Sequence, residues 1–159
     1  MSVEFYSKLL PNEGTYCVAV LPAGEGQRMR HIFVDSIDEL VDRVEERKHD
    51  SHVFIGMANF DGHSRKKAKS LKSFFVDLDV GDTKEFSTQE EAVNALGKFI
   101  QSQQLPPPVV VDSGNGIHAY WMLDTAVPVE EWKLYANKFK QLCIDNGLQI
   151  DPAVTADKA

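Results

Sequence analysis

The sequence predicts an α+β protein: a sheet with helices on one face, preceded by a small N-terminal α/β lobe. Three observations predict it. From Ser73 onward, strand-type and helix-type patterns follow in the order β-α-β-β-α. The strand-type runs FFVDLDV, VVV and IHAYWML are short and rich in β-branched and aromatic residues. The helical stripes between them open on Ser/Thr caps or Pro and end at Pro or Asn-Gly. With 159 residues, the chain is one domain or two small lobes sharing a core. Its 43% hydrophobic and 26% charged residues are ordinary for a globular protein.

No apolar run approaches the ~20 residues that span a membrane, and MSVEFYSKLL lacks the apolar centre of a signal peptide. Cys17 and Cys143 lie far apart in apolar contexts without metal-type spacing, and read as buried thiols in a reducing cytosol. A net charge of −7 argues against nucleic-acid binding over the whole surface, while leaving room for a local basic site.

In chain order, residues 1–13 read as a helix start and a loop. Thr15–Leu21 (TYCVAVL) is a β-rich run closed by the turn PAGEG, and Met29–Val34 completes a hairpin. Asp35-Ser36 caps a helix whose stripe is Ile37, Leu40, Val41 and Val44, running to about Lys48. His52–Asn59 reads as one further buried strand, giving a βββα-like opening lobe over residues 1–60. The catalytic core is then expected over residues 61–159.

The next segment, DGHSRKKAKSL, places Arg65, Lys66, Lys67 and Lys69 within five residues. It reads either as a solvated loop or helix face, or as a phosphate-holding segment beside the strand that follows. That strand, SFFVDLDV, carries Asp77 and Asp79. At i and i+2 of a strand, both carboxylates point to one face, roughly 6–7 Å apart. Like charges that close repel unless a cation lies between them, and oxygen ligands in this arrangement suit Mg²⁺ or Mn²⁺.

After a Gly81 turn, Ser87 or Thr88 caps a helix with the stripe Ala92, Val93, Leu96, Phe99 and Ile100, stopped by Pro106-Pro-Pro108. Val109–Val111 is a short buried strand. Asp112-Ser-Gly-Asn-Gly116 is a tight turn whose glycines can take positive φ, and Ile117–Leu123 is its paired strand. Pro128 and Val129 open a last helix through Trp132, Tyr135, Phe139 and Leu142, capped by Asn146-Gly147. The β-α-β-β-α order is that of an RRM-like, ferredoxin-type sheet, in which the first and third strands lie side by side and bring His118 towards Asp77 and Asp79. In SGNGIH, a glycine turn offers backbone N–H groups, a hydroxyl and an imidazole, all suited to phosphate oxygens.

The set Phe-Val-Asp77-Leu-Asp79, then Ser113-Gly-Asn-Gly-Ile-His118-Ala-Tyr-Trp121, then Ile150-Asp151-Pro resembles the archaeo-eukaryotic primase superfamily. The likeness is to the primase-polymerase and RepB-like primase domains of phages, plasmids and other mobile elements, from about Asn59 onward. The resemblance implies template-directed nucleotidyl transfer by a two-metal mechanism. Asp77, Asp79 and Asp151 would hold two Mg²⁺ or Mn²⁺ ions, with Asp157 a competing third acid. Asp77, Asp79 and His118 would be catalytic. Ser113, Gly114, Gly116 and His118 would bind the nucleotide, with Arg65, Lys67 and Lys69 near the triphosphate. It further implies an NTP or dNTP substrate, a single-stranded DNA template, a helicase or helicase domain as partner, no membrane, and the cytoplasm of a bacterial or archaeal host. Such domains continue past the third motif, so a truncated C-terminus is expected.

Two other readings stay open. Asp77-Leu-Asp79 also resembles the nucleophile strand of haloacid-dehalogenase-like phosphatases, in which Asp77 would attack phosphorus. A non-enzymatic RRM-type domain would stack single-stranded nucleic acid on sheet aromatics, for which Phe75 and Tyr120 share the carboxylate face.

Overall fold

A computed structural model describes residues 2–151. The chain divides into two compact units, one comprising residues 2–72 and Leu123–Val129, the other Ser73–Met122 and residues 130–151.

In the first unit, helix α1 (Val3–Leu9) is capped by Ser2, whose hydroxyl accepts the Phe5 N–H. Strands β1 (Tyr16–Pro22) and β2 (Arg30–Val34) form an antiparallel hairpin. Helix α2 (Ile37–Arg47) follows, with Ser36 accepting the Glu39 N–H at 3.1 Å. Strand β3 (Ser51–Ile55) pairs antiparallel with the other edge of β1, so the sheet order is β2-β1-β3. Val18, Val20 and Val34 are buried on one face of this sheet, while Ala19, Leu21 and Phe54 alternate onto the other and stay partly or largely exposed. Strand β4 (Ala58–Phe60) pairs antiparallel with the start of β5 (Ala68–Asp79). A register shift at Asn59/Phe60 is held by the buried Asn59 amide, whose oxygen accepts both the N–H and the hydroxyl of Ser70.

The second unit holds the rest of β5, helix α3 (Gln89–Gln103), strand β6 (Val109–Asp112), most of strand β7 (Gly116–Pro128) and helix α4 (Val129–Asp145). Strand β7 lies between β5 and β6, and the β6–β7 pair is antiparallel. Thr88 caps α3 by accepting the Glu91 N–H, while the Glu91 carboxylate accepts the Ser87 N–H. Every second residue of β5 and β7 (Val76, Leu78, Ile117, Ala119, Trp121) enters one core with Leu96 and Phe99 of α3 and Cys143 of α4. Burying each Leu or Phe there stabilises the fold by roughly 1.5–3 kcal/mol. Among the described residues, no helix is long and apolar enough to cross a membrane.

The α+β class stands, with four corrections of detail. The run 52–59 is not one strand: Gly56-Met57 interrupts it, and its two ends belong to different sheets. The opening order is αββαββ rather than βββα. The basic segment is loop only as far as a 3-10 turn at Arg65–Lys67; from Ala68 its Lys69, Ser70 and Leu71 already belong to β5, because pairing with β4 outweighs the low strand preference of lysine. Val109 and Val110 are not buried, at 44% and 45% exposure, because β6 is the sheet edge.

Candidate active site

The core-facing alternation of β5 leaves Phe75, Asp77 and Asp79 on the opposite face, and that of β7 leaves His118 and Tyr120 there. Because β5 and β7 are neighbours, the two sets meet. The Asp77 carboxylate is 3.5 Å from His118 Nε2, with 20% and 36% of the two side chains exposed. The Tyr120 hydroxyl lies 3.1 Å from His118 Nδ1. A carboxylate only accepts, so a contact with Asp77 needs the proton on Nε2; in that tautomer Nδ1 is free to accept the Tyr120 O–H. Below this line Phe75 and Tyr120 rings lie 6.5 Å apart, and Phe75 stacks on Trp132, whose indole N–H donates to Ser73 O. Both rings are buried, at 5% and 9% exposure, so they form the floor of the carboxylate face rather than an open stacking surface.

Asp79 is nearer the mouth. Its partner is Lys84, Nζ to Oδ2 at 3.6 Å, brought back by the Gly81 turn in which the Lys84 N–H donates to Gly81 O. At 52% and 45% exposure, this pair adds little stability, and Asp79 can exchange it for another cation. Asp151 reaches the same region through its backbone, its N–H donating to Asp77 O at 2.9 Å. Asp79, Lys84 and Asp151 are among the residues lining an open groove of about 390 Å³.

The turn between β6 and β7 is fastened to the end of β5. Asn115 O accepts the Val80 N–H, and the Gln89 amide donates to Gly116 O at 3.0 Å and to Asp112 at 3.3 Å. Gly114 has φ +87, but Gly116 does not need positive φ. It is glycine because a Cβ there would stand 2.1 Å from Leu78 O. The N–H groups of Ser113 and Gly114 are taken within the turn, by Gly116 O and by the Asp112 carboxylate, so the anion-binding groups this turn offers are side chains such as the Ser113 hydroxyl.

The structure thus brings together Asp77, Asp79, His118 and the backbone of Asp151. Arg65, Lys67 and Lys69 are exposed residues of the first unit, and Asp157 lies outside the described residues. Sequence reasoning missed Lys84 and Gln89. Lys84 had a signal in the tight Gly81-Asp-Thr-Lys84 turn directly after the Asp pair; Gln89 had none, since its partners lie across the fold. Chemically, the donors fit a hard divalent cation: carboxylate oxygens on one strand face, partly exposed. Among the described residues, no three His, Cys, Asp or Glu side chains are gathered closely enough to hold a metal ion by themselves.

No protein-family model and no curated protein matches the chain. A solved structure does: the AEP domain of the cyanophage S-2L primase-polymerase superposes with a TM-score of 0.65 at 20% identity, covering 98% of this chain and 76% of that one. At that identity, the likeness is one of fold.

Proposed function

We propose that the carboxylate face of β5 and β7 is a nucleotidyl-transfer site of the archaeo-eukaryotic primase kind, built on an RRM-like sheet. The observation that carries this is the placement of Asp77 and Asp79 on one strand face with His118 against Asp77 at 3.5 Å on the neighbouring strand. The fold shared with a primase-polymerase domain supports it. In this reading, Asp77 and Asp79, with Asp151 or Asp157, hold two Mg²⁺ or Mn²⁺ ions. Bound there, the ions would neutralise a nucleoside triphosphate and acidify an attacking 3′-hydroxyl. His118, oriented by Tyr120, holds a phosphate oxygen or a proton at Nε2, and the Ser113 hydroxyl adds a donor. Arg65, Lys67 and Lys69 keep their proposed role towards phosphates. The substrates are NTP or dNTP on a single-stranded DNA template, in replication of a phage, plasmid or other mobile element, with a helicase as partner.

The two other readings fit less well. A dehalogenase-type phosphatase needs a parallel sheet, whereas β6 and β7 are antiparallel. A base-stacking platform on this face would need exposed rings, and Phe75 and Tyr120 are buried.

The test is primer synthesis on single-stranded template with Mn²⁺, comparing the wild type with Asp77→Asn/Asp79→Asn. Neither side chain is fully buried and Asn is nearly isosteric with Asp, so the variant keeps its thermal unfolding midpoint while synthesis falls at least ~100-fold. Undiminished synthesis by the double variant overturns the proposal.

A further inference from the structure

The two carboxylates on the β5 face have partners of different kinds. Asp77 meets His118, which β7 carries at a fixed place in the sheet, and only 20% of the Asp77 side chain is exposed. Asp79 meets Lys84, which stands on a loop, and 45% of the Asp79 side chain is exposed. That loop is closed at its base. The Gly81 N–H donates to Phe86 O, Val80 bridges Phe86 in parallel, and the Lys84 N–H donates back to Gly81 O. The root of the Lys84 stem lies over the turn, since a Cβ on Gly81 would stand 3.4 Å from Lys84 Cγ. What remains movable is the far end, a compact charge on rotatable carbons, 3.6 Å from Asp79 Oδ2.

The groove around this charge is acidic. Asp79, Glu85 and Asp151 line it, and among its described lining residues Lys84 is the one cation. An ammonium and a divalent ion on one carboxylate repel each other at close range, so Asp79 holds one or the other. An exposed ammonium–carboxylate pair is weak enough to be displaced. Its stem anchored at Gly81, a lysine that leaves Asp79 stays within one side-chain length of that carboxylate. The partner suited to it there is an anion that arrives with the metal, such as the oxygens of a polyphosphate.

We infer that Lys84 is a cation that changes partners: it neutralises Asp79 when that carboxylate holds no divalent ion, and turns to the phosphate chain when it does. This rests on the reading of Asp79 as a metal ligand. Lys84 then opposes metal binding to the free protein and favours the phosphates once metal is bound. A lysine that only tethered its loop would do neither.

The experiment measures binding rather than turnover, with the full chain at low ionic strength. Free Mn²⁺ is followed by electron paramagnetic resonance as protein is added. Lys84→Met removes the competing charge and is expected to tighten Mn²⁺ binding about fivefold, the weight of one unit charge at that range in water. Calorimetric titration with inorganic triphosphate in saturating Mn²⁺ should show the opposite sign. There Lys84→Met binds about tenfold more weakly, the loss of a charge-assisted hydrogen bond, and Lys84→Arg, which keeps the charge, restores most of the affinity. The unfolding midpoint of Lys84→Met should stay within about 2 °C of wild type, because an exposed pair contributes little. Unchanged or weaker Mn²⁺ binding by Lys84→Met, or an unchanged affinity for triphosphate, overturns the inference and leaves Asp79 a ligand. Asp79→Asn separates the two readings, and should lose at least about tenfold in Mn²⁺ affinity. Wild-type Mn²⁺ affinity in Asp79→Asn, or no Mn²⁺ binding by the wild type, removes the metal reading of Asp79 and this inference with it.

Discussion

The chain uses the same short pattern, glycine-x-glycine between two strands, in two hairpins for different reasons. Gly24-Glu-Gly26 joins β1 to β2, and Gly114-Asn-Gly116 joins β6 to β7. In the first, both glycines have positive φ, +115 and +73, and a Cβ on Gly26 would meet nothing within 4 Å. The turn needs only the backbone freedom of glycine, and it stands in solvent. In the second, Gly114 has φ +87 and open space, while Gly116 is buried with its Cα against the β5 carbonyl of Leu78. That glycine is there so that two strands can approach. It fastens the hairpin to the residue between Asp77 and Asp79. A turn that merely reverses the chain tolerates change; one that is part of a strand–strand contact does not.

The contrast is sharpest in stability. Gly116→Ala should be the most damaging of the glycine substitutions. A methyl group 2.1 Å from a backbone oxygen forces β7 off β5, with no flexible side chain to give way. The expected loss is about 3 kcal/mol or more, a drop of roughly 6–12 °C in unfolding midpoint by calorimetry. Primer synthesis should fall with it, since Asp77 and His118 are carried on the separated strands. A midpoint within 2 °C of wild type, on the scale of about 1 kcal/mol or less, would break the comparison. Gly114→Ala should cost about 1–2 kcal/mol from the left-handed backbone alone. Gly26→Ala should cost least, within about 1 kcal/mol, because its φ of +73 is closer to what an L-residue accepts and alanine also restricts the unfolded chain. If Gly26→Ala proved as damaging as Gly116→Ala, the distinction between a free turn and a fastened one would be lost.

A second contrast separates the two sheets. On the carboxylate face, the rings of Phe75 and Tyr120 are buried beneath charged residues; on the β2-β1-β3 face, Phe54 stands in solvent. The first arrangement suits a site that positions small charged groups. The thiols differ from both: burial pushes Cys17 up to about 11 and Cys143 up to about 12, which keeps them protonated and inert in the folded protein at neutral pH.

Much of this was legible in the residues. Ser36 and Thr88 announce their helices, because a hydroxyl that satisfies an open backbone N–H works locally. The alternation of Val76 and Leu78 with Asp77 and Asp79 announces a strand with one buried face, because side chains on a strand must alternate. The parity of His118 and Tyr120 could be read in the same way. Other features could not be read so. Lysines made residues 68–72 look like a loop until β4 paired with them, and Val109–Val111 looked buried until β6 proved to be an edge. The split of 52–59 between two sheets also depended on partners distant in sequence.

The sequence by itself determined the α+β class, the helix caps and the presence of two carboxylates on one strand face, since each follows from bonds and sterics within a few residues. Only the tertiary structure decided that His118 meets Asp77, that Gly116 is a contact rather than a turn residue, and that Phe54 stands in solvent. Those depend on which strands become neighbours, and strand pairing is settled by the whole core at once.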